Sequence, residues 1–356
     1  MKRFFLLSAL LLLLLAAGAS VLLYQQYQQF LSRPITWSGD QPVHFEIKPG
    51  SNIRQVARRL QEQGLLPATD VEFLRPEWLL LAHTRLHQQT AHIKAGEYEL
   101  EKGMTPVQVL ERFTSGKTVQ YQISLVEGRT AREYFTVVSQ HPDLQHTLSA
   151  EDYETIMDKL GAPAGTAPEG WFFPDTYHFP RGTSDLQVLQ RSYDTMKKQL
   201  EAAWAKREPN PHLQTPYEAL ILASIVEKET GVPDERPLIA QVFLNRLDKG
   251  MLLQTDPTVI YGMGDRYDGN IRKRDLRTDT PYNTYTRKGL PPTPIANPGL
   301  AAIEAVLHPQ DSDMLYFVAT GLGDGRHFFS RNYAEHRRAV IRYQLNGDKS
   351  RYQGDQ

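Results

Sequence analysis

Apolar residues run unbroken near the start of the chain and are periodic after that. Residues 4–23, "FFLLSALLLLLLAAGASVLL", carry no charge, and about 20 apolar residues cross a bilayer as a helix. Lys2 and Arg3 precede the run, and the next charge is Arg33. By the positive-inside rule, residues 1–3 are cytoplasmic, 4–23 form a single-pass inner-membrane anchor, and the body lies in the periplasm. Ala17-Gly18-Ala19 also has the form of a signal-peptidase site after a shorter apolar core. The run continues through Val21, Leu22 and Leu23, which favours an uncleaved anchor. Residues 24–42 then read as a polar exit, a helix end and a linker.

Beyond the linker the pattern changes to strand, turn and helix. In "VHFEIKPGSNIRQVARRLQEQGLL", Val43, Phe45 and Ile47 alternate, Pro49-Gly50 turns the chain, and Ser51 or Asn52 caps a helix. Ile53, Val56, Ala57 and Leu60 share one face of that helix, and Gly64 stops it. The unit recurs in "AGEYELEKGMTPVQVLERFTSGK": Tyr98 and Leu100 lead to a turn at Gly103, Thr105 caps, Pro106 takes the first helical position, and Val109, Leu110 and Phe113 form the stripe. Together these predict a small α+β module over residues 43–118. It resembles a LysM-like domain, which implies glycan binding; a plain spacer fits the same pattern.

Residues 119–350 mix helices and strands without a βαβ rhythm, so the class is α+β, with a larger mixed α+β domain after the small module. "TVQYQISL" is a strand, "RTAREYFTVVSQ" and "SAEDYETIMDKL" are helical, and "GAPAGTAPEGWFFPDTYHFP" is a loop punctuated by Pro and Gly. "DLQVLQRSYDTMKKQLEAAWAK" is a long amphipathic helix. "DMLYFVAT" and "GRHFFS" form a hairpin around Gly321, Gly323 and Gly325, and a last helix starts near Asn332.

One helix stands apart. Thr215, Pro216 and Glu218 form a capping-box start, and "YEALILASIVEKE" is apolar nearly all round, as in a buried helix. At 100° per residue, Leu220, Ala223, Ser224 and Glu227 share one face, while Glu218 and Glu229 lie opposite. Glu229 is therefore expected to be solvated or paired. Glu227 has no base beside it at helical spacing, so desolvation raises its pKa toward that of a general acid. A structural Glu paired with an arginine such as Arg246 fits the same pattern.

Composition narrows the chemistry. The 356 residues carry a formal net charge of -1 at pH 7 and no cysteine, which removes bulk attraction to nucleic acid, disulfides, thiolate nucleophiles and thiolate metal sites. No cofactor and no metal is expected. His83 and His87, with His92 nearby, lack an HExxH pattern and read as a solvated helix face. "SGKT" at 115–118 lacks the earlier glycine of a phosphate loop, since position 111 is Glu111. Gln254 and Asp256, then Tyr282, Asn283 and Tyr285 in a Pro- and Gly-rich loop, combine hydrogen-bonding groups with flat apolar faces, a mixture suited to a sugar. Glu169, Tyr177 and Tyr261 join them as candidate substrate contacts. Trp171, Phe172, Phe173 and Tyr177 form either a stacking shelf or a packing cluster.

"PEGWFFPDTY", "LASIVEKET", "VFLNRL", "GMLLQTDPTVIYG", "YNTYTRKGLPPTPIANPG" and "YFVATGLGDGRHFF" occur in that order. Together they resemble the endolytic murein transglycosylases of the MltG, or YceG-like, family; only the hairpin turn departs, by two extra residues. The resemblance implies a membrane-anchored enzyme that cuts peptidoglycan glycan strands in their interior and forms 1,6-anhydro-MurNAc ends. It maps the family's catalytic glutamate, the first of EKET, onto Glu227, gives Glu169 a supporting role, and suggests contact with cell-wall synthesis enzymes. The residues alone leave two other readings open: a muramidase-type hydrolase with Glu169 or Asp256 as second carboxylate, and a non-catalytic wall-binding scaffold.

Overall fold

The computed structural model describes residues 2–88 and 92–352. Met1 and the side chains of Lys2 and Arg3, the charged start that sets the expected orientation, lie outside the described residues. The chain divides into two compact units, Met1–Tyr121 with His178–Gly182, and Gln122–Tyr177 with Thr183–Gln356.

The first unit begins with α1 (Lys2–Ser32). Its stretch Phe4–Ser32 is long and apolar enough to cross a membrane, with mean hydropathy 2.6. The helix continues through much of the stretch read as linker. Tyr27, Phe30 and Leu31 recur there at helical spacing, Phe30 is buried, and Ile35 follows it into the same core. Strands β1 (Val43–Ile47) and β2 (Gly96–Leu100) pair antiparallel, with Phe45 opposite Tyr98 and Val43 opposite Leu100. α2 (Ile53–Glu62) starts at a capping box of Asn52 and Gln55, and α4 (Pro106–Ser115) at one of Thr105 and Gln108. Between them α3 (Pro76–Leu86), anticipated only as the helix that carries His83, buries Leu79, Leu80 and His83. His83 is not on a solvated face: its Nδ1 lies 2.8 Å from the Tyr27 hydroxyl, while His87 is exposed.

β3 (Gln120–Ser124) and β4 (Thr176–Pro180) form a second two-stranded sheet. β4 ends the stretch read as a loop; Tyr177 and Phe179 alternate inward, a short period-2 signal hidden behind Pro and Gly.

The second unit holds α5 (Ala131–Ser139), a 3₁₀ turn at Ala150–Thr155, α6 (Ile156–Lys159), α7 (Asp185–Ala205), α8 (Pro216–Glu229), α9 (Arg236–Asp248), α10 (Asp256–Met263), α11 (Lys273–Arg277) and α12 (Leu300–Leu307). The hairpin β5 (Tyr316–Ala319) and β6 (His327–Ser330) follows, and α13 (Tyr333–Tyr343) packs on it. α8 lies at the centre against α7, α9 and α12, and every residue from Ala219 to Val226 is buried. Asp256 and Pro257 open α10, because proline suits the first turn of a helix.

Candidate active site

The site is built on the C-terminal turn of α8. Thr215 and Glu218 close the capping box at the opposite end, so Glu218 is a helix cap. Midway, the Ser224 hydroxyl donates to Ile221 O (2.7 Å) and accepts from Ile295 N (2.9 Å), which ties the segment before α12 to the helix.

That segment joins three loops through Asn297. Its backbone N and its Nδ2 both donate to Arg129 O (2.9 and 3.0 Å), its carbonyl accepts from Gly128 N (2.9 Å), and its Oδ1 accepts from Phe172 N (3.0 Å). Gly170 makes the contact sterically feasible. Its φ is +83°, and a Cβ there would sit 2.5 Å from the ring of Pro294.

Glu227 points into this junction. Its side chain is 7% exposed; Oε2 accepts from Gly299 N at 3.1 Å, and Oε1 lies 3.8 Å from Nη2 of Arg236. Burial raises its pKa, and the charge of Glu127 adds to the rise; the Gly299 N–H, Arg236 and Lys228 pull the other way without cancelling it. The nearby arginine is thus Arg236. Arg246, the partner considered from the sequence, instead donates to Leu315 O (2.7 Å), Leu252 O (3.1 Å) and Leu253 O (2.9 Å).

Glu229 also departs from its expected setting. Its carboxyl is enclosed, accepts from the Thr255 hydroxyl, and is pushed up to about 7 by burial, with Asp256 reinforcing the shift. The opposite side of α8 from Glu227 is covered by the α9–α10 connection rather than by solvent. Glu229 lines a cavity of about 440 Å³ together with Gln254, Asp256, Tyr285, Tyr316 and Tyr333. Gln254 holds φ +52°, rare for a residue with a side chain, and Tyr285 donates to Asp256 at 2.6 Å. Three of the sequence candidates therefore gather around Glu229.

The other candidates are engaged within the protein. Glu169 is buried; it accepts from Ala131 N, in the first turn of α5, at 2.9 Å and from the Tyr261 hydroxyl at 3.0 Å. Burial pushes its carboxyl up to about 7 despite these donors. Asn283 is buried and donates to three carbonyls of the 275–278 segment. Tyr177 donates to Phe173 O at 2.8 Å, and with Phe172 and Phe173 it is buried as packing rather than exposed as a shelf. Trp171 is partly buried and stacks on Tyr217 at 5.8 Å. Sequence reasoning missed Arg236 and Glu127. Arg236 is the first residue of α9 and Glu127 follows β3, and neither carries a periodic or motif signal.

A profile of the YceG-like family matches residues 45–342. The chain is 29% identical over 333 residues to an endolytic murein transglycosylase of Bacillus subtilis (strain 168), covering 89% of each chain. It is 28% identical over 353 residues to an endolytic murein transglycosylase of Streptococcus pneumoniae serotype 2, covering 90% of this chain and 62% of that longer one. Its structure is similar to a crystal structure of a YceG-like protein from Listeria monocytogenes, with TM-score 0.51 and 28% identity over 84% of this chain and 99% of that one.

Proposed function

The chain belongs to the YceG-like family, and from that premise we propose that it is a lytic transglycosylase that cuts peptidoglycan glycan strands at interior MurNAc–GlcNAc bonds. The reading rests on one observation: an acid whose pKa is raised by burial stands at a junction of three loops, with its carboxyl held by the Gly299 N–H. The names of the relatives support the reaction class.

Protonated Glu227 gives its proton to the glycosidic oxygen as the C1–O bond breaks and the bonding electron pair leaves with that oxygen. The carboxylate then takes the proton of the muramic C6 hydroxyl. The freed O6 pair closes on C1, forming the 1,6-anhydro ring without water and returning the proton to Glu227. One carboxylate serves both half-steps. Glu169 and Asp256, the second carboxylates a hydrolase reading would need, are engaged by the start of α5 and by Tyr285 respectively. Gln254, Asp256 and Tyr285 remain our candidates for holding a sugar, now through the cavity beside Glu229.

α1 serves as the anchor, with the N-terminus cytoplasmic and the chain beyond α1 periplasmic. Residues 43–118 are read as the LysM-like module, with glycan binding or spacing as its role.

The test is product analysis by mass spectrometry, with wild type and Glu227→Gln side by side. Wild type should release 1,6-anhydro ends, and the variant should lose at least about 100-fold in rate. Reducing ends would instead identify a hydrolase, and an undiminished Glu227→Gln would exclude Glu227 as the acid.

A further inference from the structure

Two carboxylates, not one, border Gly299. Glu227 reaches its N–H from α8. Glu127, at the end of the chain segment leaving β3, occupies the space where a side chain of residue 299 would stand. A Cβ there would lie 2.1 Å from Glu127 Oε1 and 2.6 Å from its Cδ. Gly299 has φ −76°, which any residue adopts, so the backbone does not call for glycine here. What the missing side chain provides is room for the carboxylate.

The loop bearing Glu127 is fixed. Gly128 N donates to Asn297 O, Arg129 O accepts from Asn297 twice, and Lys228 Nζ donates to Gly128 O at 3.1 Å. A Cβ added at Gly128 would stand 3.7 Å from Glu227 Cγ, so this loop passes close beside the acid.

We propose that Glu127 is a positioning residue for the reaction assigned to Glu227: a second carboxylate, set across Gly299, that keeps the proton on the acid until the glycosidic oxygen arrives. The proposal rests on the acid role of Glu227.

The charges facing Glu227 show why such a residue is needed. Arg236 approaches from the start of α9, Lys228 from α8 itself, and the Gly299 N–H from α12; each favours the ionised form. Tyr134 of α5 lies near enough to feel Glu127 and Glu227 together. Against two cations and a donor, burial and Glu127 favour the proton. Glu127 is the one charged side chain among these groups that does so, and it is exposed, so its replacement leaves the core intact.

The experiment measures rate against pH on purified glycan strands, using the full chain in detergent. Glu127→Gln removes the like charge, so Glu227 ionises at lower pH, and the alkaline limb should move to lower pH, with the loss of rate confined to the alkaline side. Glu127→Asp keeps the charge and should recover part of the shift. Gly299→Ala keeps the N–H donor but displaces the Glu127 carboxylate, and should move the limb in the same direction as Glu127→Gln. A Glu127→Gln profile superimposable on wild type overturns the proposal, as does a loss uniform across pH. Glu227→Gln in the same series separates the two claims. Activity surviving there refutes the acid, whereas an inactive Glu227→Gln with an unmoved Glu127→Gln limb refutes only the positioning role.

Discussion

Glu227 and Glu229 are two positions apart on one helix, and both carboxyls are held toward the neutral form by burial. Their neighbours differ: an arginine at 3.8 Å tempers Glu227, whereas a hydroxyl holds Glu229 beside Asp256. Arg236 favours ionised Glu227, so Arg236→Gln should raise the acid's pKa further and move the alkaline limb of the rate profile up, opposite to Glu127→Gln. An unmoved limb would show that the ion pair at 3.8 Å carries no weight. Glu229 affects stability instead. Its carboxyl titrates near 4.5 when unfolded and near 7 when folded, so the unfolded chain gives up the proton first. Its contribution to folding is complete below about pH 4.5 and is lost as pH rises to about 7, a loss of about 3 kcal/mol. Glu229→Gln keeps an acceptor for Thr255 and removes the titration. Melting of the full chain should therefore fall less steeply between these pH values in the variant than in wild type; identical slopes would count against burial of this carboxyl.

At the scale of elements, the loops around Gly170 and the cap of α8 respond differently to substitution. Thr215→Ala removes a helix cap and should cost about 1 kcal/mol while leaving turnover unchanged, since it lies at the end of α8 away from Glu227. Gly170→Ala places a Cβ into Pro294 from a left-handed backbone. It should cost about 2 kcal/mol and reduce turnover, because it pushes the 169–172 loop off the segment that carries Asn297 and Gly299. Melting temperature and rate measured on both variants check this; a Gly170→Ala enzyme of wild-type rate would detach the loop junction from function. The capping signals at Asn52, Thr105, Thr215 and Asn332 were legible because each joins a short polar side chain to an apolar stripe within a few residues. Glu227 was legible for the same reason, as one carboxylate breaking an apolar face. Elements whose signal depends on distant partners were not. α12 is too short and too apolar to show a face, and β4 alternates over only five residues. Glu229 read as solvated or paired because nothing on its own helix reveals that Thr255 and the cavity wall close over it. Glu127 is indistinguishable in sequence from any surface glutamate until Gly299 is brought against it.

For the whole molecule, the reaction requires the catalytic unit and the cell wall to share a compartment, and the anchor decides whether they do. α1 has the length and hydropathy to span a bilayer, and the proposed outward orientation of the body rests on the charge asymmetry around it, Lys2 and Arg3 before and none until Arg33. The chain contains no cysteine, so a single introduced thiol is the only site for a maleimide label. Asp40 follows the membrane helix, and its side chain is fully open to solvent, at 101% of the reference exposure. Asp40→Cys should react with a membrane-impermeant maleimide in spheroplasts without permeabilisation, and the labelled chain should sediment with membranes. Labelling that needs detergent first would place the body in the cytoplasm and remove the enzyme from its proposed substrate. Labelled chain in the soluble fraction would instead mean cleavage near Ala19. That outcome would leave the catalytic reading intact, but Glu227 would then meet glycan strands by free diffusion rather than as part of a membrane-tethered chain.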